Sequence, residues 1–278
     1  MEDSLGSLHV LGCLAMNNQE FDYLKKKVLS LAGIDLDSYK GQQMRRRLDG
    51  YVANQAEHPL AYCNTLERDR EALQKLQQFL TINVSEFLRD KEQFVFLRNS
   101  VLPGLLRKRQ ALNIWSAGCS HGEEPYSLAI LLEELAPGRN HKVLATDLNE
   151  TVLASARQGG PYASTQLKNV DRSLLLKYFV KADDCYLVTA RIREMVRFAQ
   201  QNLLRDPFET DLDLILCRNV VIYFTDEAKT QLMRRFCRSL REDGVLFLGG
   251  CESLMASSSG DFTRLNGSIY RKRSSNAA

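Results

Sequence analysis

The sequence predicts an α/β protein in which a small helical domain precedes a doubly wound, mainly parallel sheet. Three observations lead to this prediction. Apolar residues recur at helical spacing over the first third of the chain. Strand-like apolar runs alternate with helical patterns over the remainder. A turn of small residues joins the end of one such run to the start of a helix, which is where α/β proteins usually hold nucleotide-like ligands.

Three apolar stripes define the predicted helical domain, which we place at residues 18–80. The stripes begin at Phe21, Met44 and Leu73, and each continues at intervals of three or four residues. The third stripe predicts a helix that leads into residues 81–90 and joins the helical domain to the rest of the chain.

Five apolar runs within residues 81–278, the predicted second domain, have the length of strands. Helical patterns separate several of them, which indicates a parallel, doubly wound sheet. The end of the chain predicts an antiparallel hairpin that turns at Asn266 and Gly267 and closes one edge of the sheet. The runs cover residues 112–115, 142–146, 195–199, 212–216 and 244–248.

Composition describes an ordinary globular chain. A net charge of +3 over 278 residues is too small to indicate nucleic-acid binding. No run reaches the roughly 18 consecutive apolar residues of a membrane span, and the start of the chain lacks a leader pattern, so we expect a cytoplasmic protein without membrane insertion. The seven cysteines form no C-x-x-C pair, so we expect reduced thiols and no metal site.

Two acidic residues follow the small-residue turn. Ala117 and its small neighbours leave room for a ligand against the backbone, as in a glycine-rich loop. Glu123 and Glu124 stand where a phosphate-binding loop would offer amides and a lysine, and they would repel a phosphate. Acids are also favoured in the first turn of a helix by its dipole. We therefore assign one of the two a structural role and the other a functional role.

Asp147 ends the second predicted strand. A carboxylate at this position can accept both hydroxyls of a ribose. The alternative is that Asp147 caps the following helix, predicted at residues 150–157. We favour the ribose role because the strand, the loop and the position agree. These residues alone leave the nucleotide open between NAD and S-adenosylmethionine.

Five further segments together resemble the CheR family of chemotaxis receptor methyltransferases. In chain order they are TINVSEFLRD at 81–90, GEEPYS at 122–127, ATDLN at 145–149, QNLL at 201–204 and CRNVVIYF at 217–224. The resemblance covers residues 18–272. It implies a Rossmann-like, S-adenosylmethionine-dependent methyltransferase sheet, an N-terminal helical domain and a small antiparallel β-subdomain inserted at residues 161–196.

The resemblance also implies a reaction. Members of the family methylate glutamate side chains on the cytoplasmic domains of chemoreceptors, with S-adenosylmethionine as cofactor and S-adenosylhomocysteine as product. A glutamate carboxylate, with a pKa near ~4.3, is already a nucleophile at neutral pH. No general base is needed, which agrees with the lack of a histidine-based dyad. We expect a monomer in transient contact with the receptor, because no heptad pattern is evident.

Residue roles follow from the loop and the resemblance together. Arg89 and Tyr223 are the predicted catalytic residues, with Arg89 holding an acceptor oxygen through its guanidinium and Tyr223 positioning the same group. The alternatives are an ion pair of Arg89 with Glu86 or Asp90 in its own helix, and a packing role for Tyr223. The predicted cofactor contacts are Asn83, Ser85, Arg89, Ala117, Glu124, Asp147, Asn202, Leu203, Arg218 and Asn219.

A basic cluster lies in the helical domain and consists of Lys40, Arg45, Arg46 and Arg47. Three consecutive arginines cannot face one way on a helix, so at most two serve one surface. We predict that Arg45 and Arg46 dock on the acidic methylation region of the receptor. The alternative is a solvated helix face.

The β-subdomain carries a second prediction about the receptor. In some members of the family it binds a C-terminal receptor pentapeptide through a glycine-containing loop. The corresponding loop here, at residues 180–185, is short and has no glycine. We therefore predict that this chain does not use a pentapeptide tether. Two other functions stay open: a methyltransferase with a different acceptor, and a non-catalytic scaffold that binds the cofactor.

Overall fold

A computed structural model describes residues 15–56, 58–81 and 83–274. The chain divides into two compact units, one ending at Leu76 and the other beginning at Gln77. The helices are α1 (Asn18–Ala32), α2 (Gly41–Ala53), α3 (Pro59–Arg68), α4 (Arg70–Leu80), α5 (Lys91–Phe96), α6 (Leu102–Leu106), α7 (Glu123–Leu135), α8 (Glu150–Gln158), α9 (Arg172–Tyr178), α10 (Ala190–Arg193) and α11 (Asp226–Ser239). The strands are β1 (Asn113–Ala117), β2 (Lys142–Asp147), β3 (Tyr162–Ala163), β4 (Phe179–Ala182), β5 (Cys185–Val188), β6 (Val196–Gln200), β7 (Leu212–Cys217), β8 (Leu240–Leu248), β9 (Phe262–Asn266) and β10 (Ile269–Lys272).

The first unit is helical, as predicted. Its apolar stripes form its core, with Leu24 and Val28 of α1 and Met44 and Leu48 of α2 buried. Asn17 begins α1 with a capping box, since its side chain accepts the N–H of the third helical residue, whose own side chain accepts the N–H of Asn17. Local capping and burial therefore agree on where α1 starts and which face it buries.

The second unit contains a seven-stranded sheet in the order β6-β2-β1-β7-β8-β10-β9. The first five strands in this order are parallel, and β10 and β9 are antiparallel. The prediction of a doubly wound sheet closed by a C-terminal hairpin is confirmed. β8 begins at Leu240, four residues before the predicted start, because the polar side chains of residues 241–243 interrupt its apolar pattern.

Both faces of the sheet are covered. Trp115 of β1 packs edge-on against Phe208 and Phe236, the latter from α11, and its indole N–H donates to Thr146 at 2.9 Å. The preceding residue, Ile114, belongs to the core that includes the apolar residues of α7. Successive strand residues point to opposite faces, so β1 is buried on both sides, which matches its uninterrupted apolar run.

A small antiparallel sheet, in the order β3-β5-β4, lies in the chain between α8 and β6. The inserted β-subdomain is therefore present. Residues 180–185, which we expected to form a short loop, lie mostly in strands, and only Asp183 and Asp184 form the turn between β4 and β5. Asp183 has a left-handed backbone, which a tight two-residue hairpin requires.

The carboxyl ends of the five parallel strands share one edge of the sheet. Residues that follow Ala117, Asp147, Gln200, Cys217 and Leu248 therefore meet there, which is where open α/β sheets bind ligands. Within residues 15–56, 58–81 and 83–274, no helix combines the length and the apolar character that crossing a membrane requires.

Candidate functional site

The loop after β1 is held against its neighbours. Gly118 and Gly122 have φ values of 87° and 96°, in the left-handed region that favours glycine. A Cβ on Gly118 would lie 2.5 Å from Cγ2 of Val220, so glycine lets the loops after β1 and β7 approach closely. The N–H groups of Gly118 and Cys119 both donate to the Thr146 carbonyl, at 2.8 and 2.9 Å. Backbone hydrogen bonds and close packing therefore hold the loop in place.

Glu124 is buried in the first turn of α7. Its Oε1 accepts a hydrogen bond from the Ser116 hydroxyl at 2.6 Å, and its Oε2 lies 3.4 Å from Nη1 of Arg218. Burial raises the pKa of Glu124, and the charge of Arg218 opposes this rise. Glu124 is therefore a carboxylate with only one buried cation beside it among the described residues.

Arg218 follows β7, and its side chain is 2% exposed. Its Nη2 donates to the Arg89 carbonyl at 2.9 Å and to Asp90 Oδ2 at 2.6 Å. The guanidinium lies 4.6 Å from the ring centroid of Phe247 and 5.2 Å from that of Phe94. Arg218 therefore joins three segments, namely the start of α7, residues 83–90 and the loop after β7.

Asp147 is buried, and both of its oxygens accept backbone N–H groups. Oδ2 accepts from Ser120 at 2.9 Å and Oδ1 from Asn149 at 3.0 Å. Burial raises the pKa of Asp147, while these hydrogen bonds lower it. The cap of α8 is Asn149, whose Oδ1 accepts the Thr151 N–H at 2.9 Å. Asp147 is therefore not the helix cap that the alternative reading expected.

The residues after β6 lie beside the end of β2. The N–H of Gln201 donates to the Asp147 carbonyl at 2.9 Å, which brings Asn202 and Leu203 to the same edge. Asn202 Oδ1 accepts the Leu204 N–H at 2.9 Å, which shapes the turn. Leu203 is buried and presents an apolar surface.

Residues 83–90 are irregular, so the helix expected to lead into residues 81–90 is wrong beyond Leu80. Leu88 and Asp90 have φ values of 52° and 59°, which no α-helix accommodates. The Leu88 N–H instead donates to the Ser127 hydroxyl at 3.0 Å. This contact holds the segment against α7.

Arg89 does not form either ion pair of the alternative reading. Its Nη1 donates to the Val84 carbonyl at 3.1 Å. Glu86 pairs with Lys168 at 2.6 Å, and Asp90 pairs with Arg218. The guanidinium is half-buried and keeps further N–H donors for another group.

Glu123, the other acid after the small-residue turn, is fully buried. Its Oε1 accepts the Gln166 side-chain N–H at 2.6 Å, and the Ser85 hydroxyl lies close to the carboxylate. Its Oε2 has no partner among the described residues. Burial raises the pKa of Glu123, and its hydrogen bonds lower it. Nearby, Asn83 donates to the Thr81 hydroxyl at 3.2 Å.

Asn219 and Tyr223 belong to the loop after β7. Asn219 has a φ of 59°, and its N–H donates to Glu252 Oε2 at 2.8 Å. Tyr223 ends a short 3-10 turn, Val221–Tyr223, and is half-buried. The described residues include no hydrogen-bond partner for the Tyr223 hydroxyl, so this group is available to an acceptor.

The donor set at this edge fits a cationic nucleoside. Glu123, Glu124, Asp147 and Glu252 are buried carboxylates, and Arg218, which lies beside Glu124, is the one buried cation at this edge in the part of the chain that is described. Buried carboxylates in excess of cations are costly until a positive group joins them. S-adenosylmethionine carries a sulfonium and an ammonium group together with a ribose, so it suits both the acids and the strand-end position of Asp147.

Three residues of this edge were not among the predicted site residues. Glu252 follows the end of β8 as an acid, which is the same signal that identified Asp147. Ser116 is a polar residue inside an apolar strand, which indicates a partner within the protein. Gln166 reaches Glu123 from the inserted subdomain, and no local pattern marks it.

The basic cluster divides in the structure of the first unit. Arg45 donates to Asn18 Oδ1 at 2.7 Å and to the Met16 carbonyl at 2.6 Å, and its guanidinium lies 5.0 Å from the Phe21 ring centroid. Arg46 is exposed. The contacts of Arg45 therefore stabilise the first unit, whereas Arg46 is exposed to solvent.

We expect cofactor affinity to fall as the pH is lowered towards the ordinary carboxyl range. Burial raises the pKa values of Glu123, Glu124 and Asp147, so the acids are harder to ionise in the folded chain than in the unfolded one. Their ionisation therefore destabilises the fold as the pH rises from the ordinary glutamate pKa of 4.5 to the raised pKa values of these acids. A cation stabilises the ionised forms, so its binding releases protons in that window.

Calorimetry in two buffers of different ionisation enthalpy measures this release. The Glu124→Gln variant should release fewer protons than the unmodified chain. Affinity that is constant or rises on acidification would contradict the assignment of these acids to the cofactor.

Two family models match nearly the whole chain. The model described as CheR methyltransferase, SAM binding domain, matches residues 83–271. The model described as CheR methyltransferase, all-alpha domain, matches residues 19–81.

Relatives match over most of their own length as well. A chemotaxis protein methyltransferase from Listeria monocytogenes is 37% identical over 256 residues, which is 91% of this chain and 97% of that protein. A chemotaxis protein methyltransferase from Borreliella burgdorferi is 33% identical over 254 residues, which is 86% of this chain and 89% of that protein.

Proposed function

Because this chain belongs to the CheR methyltransferase family, we propose that the buried acids and Arg89 serve methyl transfer to glutamate side chains of chemoreceptors. The chain is an S-adenosylmethionine-dependent methyltransferase, with S-adenosylhomocysteine as product. The observation that supports the site assignment is the set of four buried carboxylates at the carboxyl edge of the sheet, where the described residues provide one buried cation, Arg218.

When bound, S-adenosylmethionine supplies a methyl group on a positively charged sulfur. Glu124 and Glu123 would hold positive charge at the start of α7, and Asp147 would accept the ribose hydroxyls. Asn202 and Leu203 would hold the adenine at the adjacent strand end. Their common task is to fix the ligand and to exclude water from the reacting groups.

The acceptor needs orientation and no deprotonation. A receptor glutamate is ionised at neutral pH, so its oxygen is already nucleophilic. Arg89 would hold one carboxylate oxygen through the N–H groups that Val84 does not use. The other oxygen would then take the methyl group, as the bond from that carbon to sulfur breaks and its electron pair stays on the sulfur. The Tyr223 hydroxyl positions the same carboxylate from the loop after β7.

We expect methyl groups on the receptor to be released as methanol in alkali. The assay incubates the chain with labelled S-adenosylmethionine and a chemoreceptor cytoplasmic fragment and then treats the product with alkali. A glutamyl ester is base-labile, whereas an N-methyl group is stable.

Arg89→Lys keeps the charge but loses the guanidinium fork, so it should lower kcat/KM by roughly 100-fold.

The two alternatives give different results in this assay. Alkali-stable label would indicate an acceptor other than a carboxylate. Cofactor binding without any transfer would indicate a scaffold.

In this proposal, Arg46 is the residue that docks on the receptor. Arg46→Glu should raise KM for the receptor fragment by about 10-fold at low salt and by less at high salt, because the contact is electrostatic. Arg70→Glu, an equal charge change at an exposed residue of α4, is the control. Steady-state methylation at two salt concentrations measures both. If reversal at Arg45 and Arg46 together leaves low-salt methylation unchanged, the cluster is only a solvated face.

The proposal excludes a pentapeptide tether. Its support is the two-residue turn at Asp183 and Asp184, which leaves no glycine-containing loop between β4 and β5. We place the helical domain at residues 18–80 and the methyltransferase domain at 81–278. Because the acceptor glutamates lie on cytoplasmic receptor domains, we also propose that the enzyme acts in the cytoplasm, as a monomer.

A further inference from the structure

Glu252 is the one of the four buried carboxylates at this edge to which the proposed chemistry assigns no contact with cofactor or acceptor. It follows the end of β8 and is 5% exposed. Its Oε2 accepts the N–H groups of Asn219 at 2.8 Å and Gly249 at 2.7 Å, and its Oε1 accepts that of Ile222 at 3.2 Å. All three hydrogen bonds come from backbone amides, so the side chain organises loops.

Two of these amides belong to the loop that carries the proposed site residues. Asn219 is held with a φ of 59°, in the left-handed region that asparagine enters more readily than most residues other than glycine. The hydrogen bond from its N–H to a charged oxygen favours this conformation. Ile222 immediately precedes Tyr223 in the Val221–Tyr223 turn. One carboxylate therefore fixes both the Asn219 backbone and the turn that presents Tyr223.

The space around Glu252 is matched to this task. A Cβ on Gly249 would lie 2.6 Å from Glu252 Oε2 and 2.8 Å from the Asn219 nitrogen. Only glycine at position 249 lets the end of β8, the carboxylate and the Asn219 amide approach this closely. Burial raises the pKa of Glu124, and the charge of Glu252 raises it further, which indicates that Glu252 acts on the same site electrostatically.

We propose that Glu252 is a positioning residue for methyl transfer, which holds Asn219 against the cofactor and Tyr223 towards the acceptor through their backbone. The inference rests on the roles proposed above for Asn219 and Tyr223. A glutamine at this position would offer one acceptor oxygen and one NH2 donor to three N–H groups. It could therefore not reproduce the arrangement, although its size is the same.

Glu252→Gln should lower kcat by roughly 10- to 100-fold, because a small displacement of positioned groups has effects of this size. The cofactor Kd, measured by calorimetry, should change by a smaller factor. The control is Asp213→Asn, a buried carboxylate at the amino end of β7 that accepts the Asn113 N–H at 2.8 Å and pairs with Arg109 and Arg241. This control should lose stability and keep its kcat when assayed well below its melting temperature.

Gly249→Ala provides a second, independent variant. It keeps the negative charge of Glu252 but crowds both the carboxylate and the Asn219 amide that it holds, so a positioning role predicts a fall in kcat and a wild-type kcat rules that role out. If Glu252→Gln fails to fold, the kcat of Gly249→Ala tests the positioning role instead.

The outcomes separate this inference from the proposed function. Wild-type kcat in Glu252→Gln or in Gly249→Ala, together with base-labile methylation by the unmodified chain, overturns the inference alone. Failure of the unmodified chain to transfer base-labile methyl groups overturns the proposed function and this inference with it.

Discussion

Replacing Arg218 by methionine should lower the free energy of unfolding by about 3–5 kcal/mol, because removal of one partner leaves a buried charge uncompensated. Glu124 would lose the cation beside its Oε2, and the Arg89 carbonyl would lose its donor. The guanidinium also packs against Phe247 and Phe94, so methionine retains part of the apolar contact. Urea denaturation followed by circular dichroism measures the change.

A double-mutant cycle tests the cause. Adding Glu124→Gln to Arg218→Met removes the unpaired charge, so the double variant should recover part of the lost stability. The Arg218→Lys variant retains the positive charge but loses the planar guanidinium donors. Its free energy of unfolding should therefore lie between those of the unmodified chain and Arg218→Met. A loss below ~1 kcal/mol for Arg218→Met would mean that Glu124 finds another partner or is protonated in the folded chain.

Replacing Asp147 by alanine should weaken cofactor binding by about 100-fold or more, since hydrogen bonds to a charged acceptor contribute about 1.5–3 kcal/mol each. The substitution removes the acceptor for the ribose hydroxyls. It also leaves the N–H groups of Ser120 and Asn149 without their present partner, which loosens the loop after β1. Calorimetric titration with S-adenosylhomocysteine gives the Kd directly.

Asn149→Ala is the matched control for that experiment. It removes the cap of α8 and should cost about 1 kcal/mol of stability without a comparable change in Kd. If Asp147→Ala binds S-adenosylhomocysteine with unchanged affinity, the role of Asp147 is only to join the loops that contain Ser120 and Asn149.

The sheet is predictable from the sequence because its central strands β1, β2 and β7 are buried on both faces. Such strands read as continuous apolar runs, and each of the five runs overlaps one parallel strand. The strand-end position of Asp147 follows from the same pattern. The start of β8 is missed because its first residues are polar and partly exposed, so burial is no guide there.

The contacts that complete the site depend on residues far apart in sequence. Arg218 meets Asp90 and Glu124 only because the fold brings the ends of three segments together. The path of residues 83–90 depends on left-handed conformations at Leu88 and Asp90, and no glycine marks either position. Composition and spacing do not indicate such conformations. The resemblance to known proteins, in contrast, identifies residues 81–90 as one functional segment.

The excess of buried acids at the carboxyl edge also links the lifetime of this protein to its supply of cofactor. A ligand that binds only the folded chain stabilises it by about 2.7 kcal/mol when present at 100 times its Kd. Cells that deplete S-adenosylmethionine would therefore hold a larger unfolded fraction, open to proteases. Methyl-donor shortage would then reduce both the rate of receptor methylation and the amount of enzyme that performs it.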